Sequence, residues 1–409
     1  MVLKSINQDD LRNHNLSAVL STLLQSTKPM SRAKLAKATG LTKASMSLLV
    51  PMLVSAQAVQ EGEPVAEGVT YGRPSTPLIV SGQRFCSIGL QINTDGYGVM
   101  VLALDGSVIS EHWVSQSMEG SEPEEIFARL GALADQSESV IRQKDLQVVG
   151  TGLALPGLVT DDMKLLSAKN LGWKELELSR FDVVKRLDAE ADNEANLAAL
   201  AQIPGYATPR KGKSSIRPTD SFLYISTDIG IGGAVVHHGQ VDRGDSGFAG
   251  ELGHVSVALD GPQCTCGRCG CLEMYAGRKA LVEASGVAGP EGSTKMEAVD
   301  EVLERYRQRD DRTIAAVDRA LRALASALAS AINIVDINTV VLGGLWERFG
   351  KGLVRRLNHE LELQVLSYPA VQPRVVLPDI NTRPALLGAA QVGLRRFIDN
   401  PLEYVNSSK

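Results

Sequence analysis

Apolar side chains recur near the start of the chain at Leu16, Val19, Leu20, Leu23 and Leu24, the spacing of one helix face. Pro29 closes that segment, Ser31 is placed to cap a short second helix over 32–38, and Gly40 supplies a sharp turn. Thr42 then caps a third helix whose apolar face is Met46, Leu49, Val50 and Leu53. Pro51 lacks an N–H and is expected to kink or end this helix near its third turn. Residues 58–60 and 77–80 read as two strands joined by a loop that contains Gly72-Arg73-Pro74. From Phe85 the period becomes strand-like. Residues 85–92, 97–104 and 108–115 form a meander with turns at Asp95-Gly96 and Asp105-Gly106. A helix over 123–143 and a buried strand over 148–155, broken by Pro156-Gly157, follow. A helical run over 197–202 leads to a polar linker, 204–220, with Arg210, Lys211, Lys213 and Arg217; it reads as a disordered insert, a phosphate-sensing loop being the alternative. The earlier order then resumes: a strand over 221–226, a glycine turn, a second strand, a long alanine-rich helix over 313–334 and a strand over 339–342.

Three short helices with a glycine-containing turn between the second and third predict a helix-turn-helix. In that arrangement the third helix enters the major groove of double-stranded DNA by its N-terminal end, here Lys43, Ala44, Ser45 and Ser47, with Thr42 at the cap and Arg32 on the preceding helix. The two strands would form a wing whose Arg73 either lies in a minor groove or caps a plain exposed turn. Charge changes the weight of this reading. Residues 11–60 hold six basic side chains (Arg12, Lys28, Arg32, Lys34, Lys37, Lys43) and no acidic one. The whole chain carries −5, so −5 less +6 leaves −11 for the remainder. A basic end on an acidic body suits a polyanion partner.

With 44% hydrophobic and 22% charged residues over 409 positions, the chain has the composition of a globular protein of two or three domains. No apolar run is long enough to span a bilayer, no membrane partner is expected, and the N-terminal segment lacks a signal-peptide pattern, so a cytoplasmic location is expected. Four of the five cysteines lie between 264 and 271, which in a reducing compartment points to a metal before disulfides. Cys264, Cys266 and Cys271 with His254 make a closed tetrahedral set for one structural Zn²⁺, although on local chemistry Cys269 could replace the histidine. Cys86 reads as an inert core residue.

The most specific stretch is Ala249-Gly250-Glu251-Leu252-Gly253-His254, followed by Cys264-Thr265-Cys266-Gly267-Arg268-Cys269-Gly270-Cys271-Leu272-Glu273. It resembles the E-x-G-H and C-x-C-G-x-x-G-C-x-E signatures of the ROK family (repressors, open reading frames and sugar kinases), and the N-terminal segment resembles that family's regulator branch. The resemblance implies an α/β fold: a winged helix-turn-helix (1–81) ahead of a two-lobed actin-like, ribonuclease H-like body (82–199 with 384–409, and 200–383). It also implies that Glu251, His254 and Glu273 face a sugar, and that Asn193-Glu194-Ala195-Asn196, similar to the family's N-D-A-N segment, brings Asn193 and Glu194 to the same pocket. Asn170 is a weaker candidate. By the family pattern Cys269 falls at a variable position and is a bystander.

Family kinases carry D-x-G-G-T at the first turn of the body and aspartate as general base. Here the matching stretch is Gln91-Ile92-Asn93-Thr94-Asp95, and Glu194 replaces the aspartate. Gln91 is neutral, both glycines are absent, and Asp95 sets a negative charge where phosphates would lie. No catalytic residue is therefore expected. The reading is a sugar-responsive transcriptional regulator, a repressor of carbohydrate genes, binding a sugar or sugar phosphate. It would act as a homodimer or homotetramer on a near-palindromic operator. A sugar kinase with a fused DNA-binding unit is the alternative, and a scaffold controlled by a protein partner a third reading.

Overall fold

The computed structural model describes residues 7–26, 28–63, 76–205, 214–289 and 292–405. Helix α1 (Gln8–Gln25) buries Leu16, Val19, Leu20 and Leu23, and the Asn7 side chain caps it by accepting from the Asp9 and Asp10 N–H groups. Strand β1 (Met30–Ser31) leads into α2 (Arg32–Thr39), where the Ser31 hydroxyl accepts from Lys34 N at 3.3 Å. Gly40 ends α2 in the left-handed region, at φ 72°, which a side chain would strain. The Thr42 hydroxyl caps α3 (Lys43–Ser55), accepting from Ser45 N at 3.1 Å, and Met46, Leu49, Val50 and Leu53 form its buried face.

Of the two expected outcomes at Pro51, a kink or an end, the helix does not end there, since α3 continues to Ser55. Proline frees the carbonyl four residues back, on Ser47, and both positions are solvent-exposed. Water can take that carbonyl while Val50 and Leu53 hold the two halves against the core. Strands β2 (Val59–Glu61) and β3 (Pro77–Val80) pair antiparallel, with β3 also beside β1. Arg73 and its neighbours lie outside the described residues.

The body holds two five-stranded sheets. In the first, β4 (Phe85–Asn93), β5 (Gly96–Ala103) and β6 (Val108–Ser115) form the antiparallel meander, and α4 (Pro123–Gln143) crosses to β7 (Gln147–Leu155), parallel to β4. A small antiparallel sheet, β8 (Leu158–Val159), β9 (Lys164–Ala168) and β10 (Trp173–Glu177), and a short helix α5 (Asp182–Arg186) come next. Strand β11 (Ala189–Asn193) then joins β7 in parallel, giving the order β11-β7-β4-β5-β6. Helix α6 (Glu194–Gln202) begins at Glu194, earlier than the expected start at Leu197, because the Asn193 side chain caps it.

The second sheet repeats the plan: β12 (Phe222–Thr227), β13 (Ile231–His237) and β14 (Gln240–Asp242) form a meander, and β15 (Thr339–Gly344) and β16 (Arg374–Val376) extend it in parallel. The order β14-β13-β12-β15-β16 is the first sheet's order once each is numbered from its own first strand. Helices α7 (Glu273–Ala276), α8 (Arg278–Ala284), α9 (Met296–Arg307), α10 (Asp311–Val335) and α11 (Gly350–Glu362) belong to this half, with α10 burying a face of alanines and leucines. Such a duplicated 3-2-1-4-5 sheet is the expected two-lobed body.

Helix α12 (Pro384–Asp399) returns to the first sheet, and α13 (Pro401–Val405) follows it. Glycines set how closely α12 lies: a Cβ on Gly152 would overlap the Ala389 carbonyl, and one on Gly388 would overlap that of Leu197 on α6. One apolar cluster runs unbroken from Leu16, Leu20 and Leu53 to Phe85, Leu386 and Phe397. Polar contacts reinforce it, with Asn13 Nδ2 donating to Asp399 O at 2.9 Å and Asn13 Oδ1 accepting from Leu402 N at 3.0 Å. The three-helix unit is thus docked on the last helices of the body.

Of the polar linker, residues 206–213, including Arg210, Lys211 and Lys213, lie outside the described residues. Its remainder is packed: Ile216 is buried, Ser214 donates to Asp379, and Arg217 pairs with Asp220 at 2.8 Å. No helix among the described residues is long and apolar enough to cross a membrane.

Candidate functional site

A cavity of about 670 Å³ opens between the two sheets, and Asn170, Asn193, Glu194, Glu251, His254 and Glu273 all line it. Each arrives by a different local device. Glu194 stands at the first turn of α6, and Asn193, capping that helix, also donates from Nδ2 to Gly157 O at 2.8 Å, which ties α6 to the Pro156-Gly157 turn. Both polar atoms of Asn193 are thereby engaged within the protein. Glu273 starts α7 and accepts from Ile231 N at 3.0 Å. Gly230 is required there, because a Cβ on it would overlap Glu273 Oε2 and come within 2.8 Å of Asn170 Nδ2. The glycine turn between β12 and β13 therefore has a positioning task that needs no phosphate.

Glu251 precedes, and His254 ends, a single 3₁₀ turn (Leu252–His254). His254, Cys264, Cys266 and Cys271 bring their donor atoms within 4.8 Å of one another. His254 Nδ1 lies 3.7 Å from Cys264 Sγ, and Cys266 Sγ lies 3.6 Å from Cys271 Sγ. Tetrahedral zinc with Zn–S near 2.3 Å requires ligand separations of about 3.7 Å, so the donor set fits that ion. The tight turn that draws the first two thiols together is held by Gly267 N donating to Cys264 O at 2.9 Å and Cys264 N donating to Arg268 O at 2.8 Å. Cys269 is exposed and is not one of the four, and Cys86 is buried, its thiol pushed up to about 12 by burial. The four residues could hold a metal ion behind one wall of the cleft.

The floor is acidic. Burial, aided by the neighbouring charges of Asp228 and Asp95, pushes Glu194 up to about 8, while a hydrogen bond from Gln91 pulls the other way. Burial likewise raises Glu251 against the pull of His254, and Asp228 against that of Arg278. Arg278 was not among the expected residues. Its side chain is almost wholly buried, donates to both carboxylate oxygens of Asp95 at 3.0 and 2.8 Å, to Asp228 at 3.3 Å and to Thr294 O at 2.9 Å. Asp95 belongs to the β4–β5 turn and Arg278 and Asp228 to the other half of the body, so this cluster ties the two turns facing each other across the cleft. The negative charge expected at Asp95 is therefore a paired one. The partnership is tertiary, and no local spacing announces it.

At the N-terminal unit, Lys43, Ala44 and Ser47 are exposed on the first turns of α3, and Ser45 is half-buried. The Thr42 and Ser47 hydroxyls are used within the helix, the latter donating to Lys43 O at 3.0 Å, and Arg32 pairs with Glu61 on β2 at 2.6 Å.

A family model described as the ROK family matches residues 87–395. The chain belongs to the ROK family. Over 395 residues, 96% of this chain and 98% of the relative, it is 24% identical to a xylose repressor from Bacillus subtilis. It is 27% identical to a glucokinase from Halalkalibacterium halodurans over 54% of this chain and 68% of that one. Among solved structures, a ROK family transcriptional regulator described as a homolog of the E. coli MLC protein superposes with a TM-score of 0.75 at 21% identity, covering 97% of this chain and 99% of that one. A ROK glucokinase from Streptomyces griseus, in complex with glucose and AMPPNP, gives 0.61 at 22% identity, covering 75% of this chain and 98% of that one. The ROK regulator's match takes in the N-terminal unit as well as the body, while the kinase's covers three quarters of the chain.

Proposed function

We propose that the chain is a sugar-responsive transcriptional repressor that binds its effector in the cleft and does not phosphorylate it. One observation carries the reading: α12 lines the cleft at Pro384 and Ala385 and meets the three-helix unit at Asp399, so one helix touches both the pocket and the basic unit. Lys43, Ala44, Ser45 and Ser47, with Arg32, Thr42 and Arg73, would contact an operator, Lys43 and the arginines through phosphates and α3 through base edges. Asn170, Asn193, Glu194, Glu251, His254 and Glu273 would hold the sugar. His254, Cys264, Cys266 and Cys271 would hold Zn²⁺ as a structural ion, because four protein donors leave no position for water. A homodimer or homotetramer would place two α3 helices on a near-palindromic site, in the cytoplasm. The domains would divide at 81 and run as 82–199 with 384–409, and 200–383.

In the kinase reading, which the matched kinases favour, Glu194 would act as general base and the phosphates would sit between the two turns that Arg278 joins. Gln91 and the Asp95–Arg278 pair speak against it, since they fill that space with neutral and already paired groups. Selection of bound fragments from random DNA, followed by titration with sugars, tests the proposal: a recovered operator should be released by one sugar, and Lys43→Ala should weaken binding about tenfold across sequences. Sugar-dependent ATP consumption, lost in Glu194→Ala, would restore the kinase.

A further inference from the structure

The floor of the cleft holds an acceptor without a donor. Gln91, on β4, is 4% exposed and lines the cavity, and its Oε1 is buried with no hydrogen-bond partner among the described residues. Its amide hydrogens face Glu194, which accepts from them. A carbonyl oxygen lodged this way calls for a donor supplied from outside, because buried polar atoms in folded proteins are rarely left alone. A hydroxyl group is such a donor, and it can also accept from a neighbouring acid.

Charge narrows the class of ligand. Glu194, Asp228, Glu251, Glu273 and Glu347 all line the cavity. The one cation buried at the floor, Arg278, is committed to Asp95 and Asp228. The remaining lining cations are held at the walls and rim: Lys169 donates to Thr265 O at 2.9 Å, Arg348 pairs with Asp300, and Arg383 pairs with Glu111 while lying over the Trp113 ring. Arg268 is exposed, on the cysteine-bearing turn. A phosphate needs several free donors, best from an unpaired guanidinium, and at the floor beside Gln91 it would meet carboxylates instead.

We propose that the effector is an uncharged, unphosphorylated sugar, one hydroxyl of which donates to Gln91 Oε1 beside Glu194, and that the Asp95–Arg278–Asp228 cluster excludes a phosphorylated one. The inference rests on the reading of this cleft as a sugar site. It gives Gln91 a task, as a residue that selects the ligand, where the resemblance to the family's kinase motif implies only a lost aspartate. Glu194 suits the arrangement, since a carboxyl group that keeps its proton near neutrality can donate to a hydroxyl as well as accept from one.

Calorimetric titration of the full-length, zinc-loaded protein tests it, using D-xylose, D-glucose and N-acetyl-D-glucosamine against glucose 6-phosphate and N-acetylglucosamine 6-phosphate. One neutral sugar should bind, and any phosphorylated counterpart at least 100-fold more weakly. Gln91→Met, which keeps length and loses the acceptor, should weaken the neutral sugar at least tenfold with melting temperature and zinc content unchanged. Asp95→Asn, which loosens the hold on Arg278, should raise affinity for a phosphorylated sugar at least fivefold. A phosphorylated sugar that binds more tightly than its parent overturns this inference and leaves the sugar-sensor reading standing, as does Gln91→Met with unaltered affinity. If no sugar of either kind binds or moves operator affinity, both fall.

Discussion

Glu194 carries the sharpest prediction at the scale of single residues. Its folded value of about 8 stands above the ordinary 4.5 because burial and the Asp228 and Asp95 charges outweigh the hydrogen bond from Gln91. Between those values the folded chain keeps a proton that the unfolded chain has released, so stability falls as pH rises through the window and levels off above it. Glu194→Gln removes that penalty. The melting-temperature gain of the variant over wild type, measured without ligand, should grow from pH 5 to pH 9, equivalent to roughly 2–4 kcal/mol. A gain that is constant with pH would mean Glu194 is ionised throughout. The cysteines support a second prediction. Cys271→Ser should take zinc from about one per chain to near none and lower the melting temperature, and a chelator should do the same to wild type. The metal cluster was legible because its four donors lie within eighteen residues, so spacing alone brings them close. Arg278 was not legible, for its partners sit 183 and 50 residues away and only the closed fold brings them to it.

Among elements, the pattern served best where one rule governed each boundary. Helix α4 spans the expected 123–143, starting at a proline that tolerates the first helical turn and ending where the apolar period stops. It served less well where two rules competed: at Pro51 the local veto lost to a buried face continuous on both sides, and at Asn193 a capping side chain started α6 three residues before the apolar run. The packing of α12 on α6 was not legible, since a glycine gives no apolar signal for the contact it permits. Gly388→Ala tests that contact. The added methyl would overlap the Leu197 carbonyl, forcing α12 and α6 apart. We expect a loss of about 1–3 kcal/mol in denaturant unfolding. Sugar affinity should fall with it, because α6 carries Glu194 at its first turn. Unchanged affinity in a destabilised protein would show that the site does not depend on how the two helices meet.

At the scale of the molecule, the repeated order of strand, strand, strand, helix was readable, and it yields the duplicated sheets. How the N-terminal unit sits on the body was not readable, because the apolar faces of α1 and α3 say that they are covered without saying by what. The answer bears on mechanism. Helix α12 has sixteen residues, a rod of roughly 24 Å at 1.5 Å per residue. One end reaches the cleft, and at the other Phe397 packs on Phe85 and Tyr404, with ring centroids 4.4 and 5.2 Å apart. Asn13 bonds to Asp399 O and Leu402 N at that same end. A ligand can shift DNA affinity only by binding the two arrangements of the molecule unequally, and the factor is the same whichever site is filled first. If the α12 end transmits the change, Asn13→Ala should leave sugar affinity in the absence of DNA, and operator affinity in the absence of sugar, within about threefold. It should also shrink the ratio of operator affinities with and without sugar by at least about threefold. Anisotropy titrations of a labelled operator, run at zero and saturating sugar, measure both. A ratio equal to wild type would put the coupling elsewhere, with the spacing of the protomers as the next place to look. Loss of operator affinity without sugar would instead make Asn13 a support of the N-terminal unit rather than a link to the cleft.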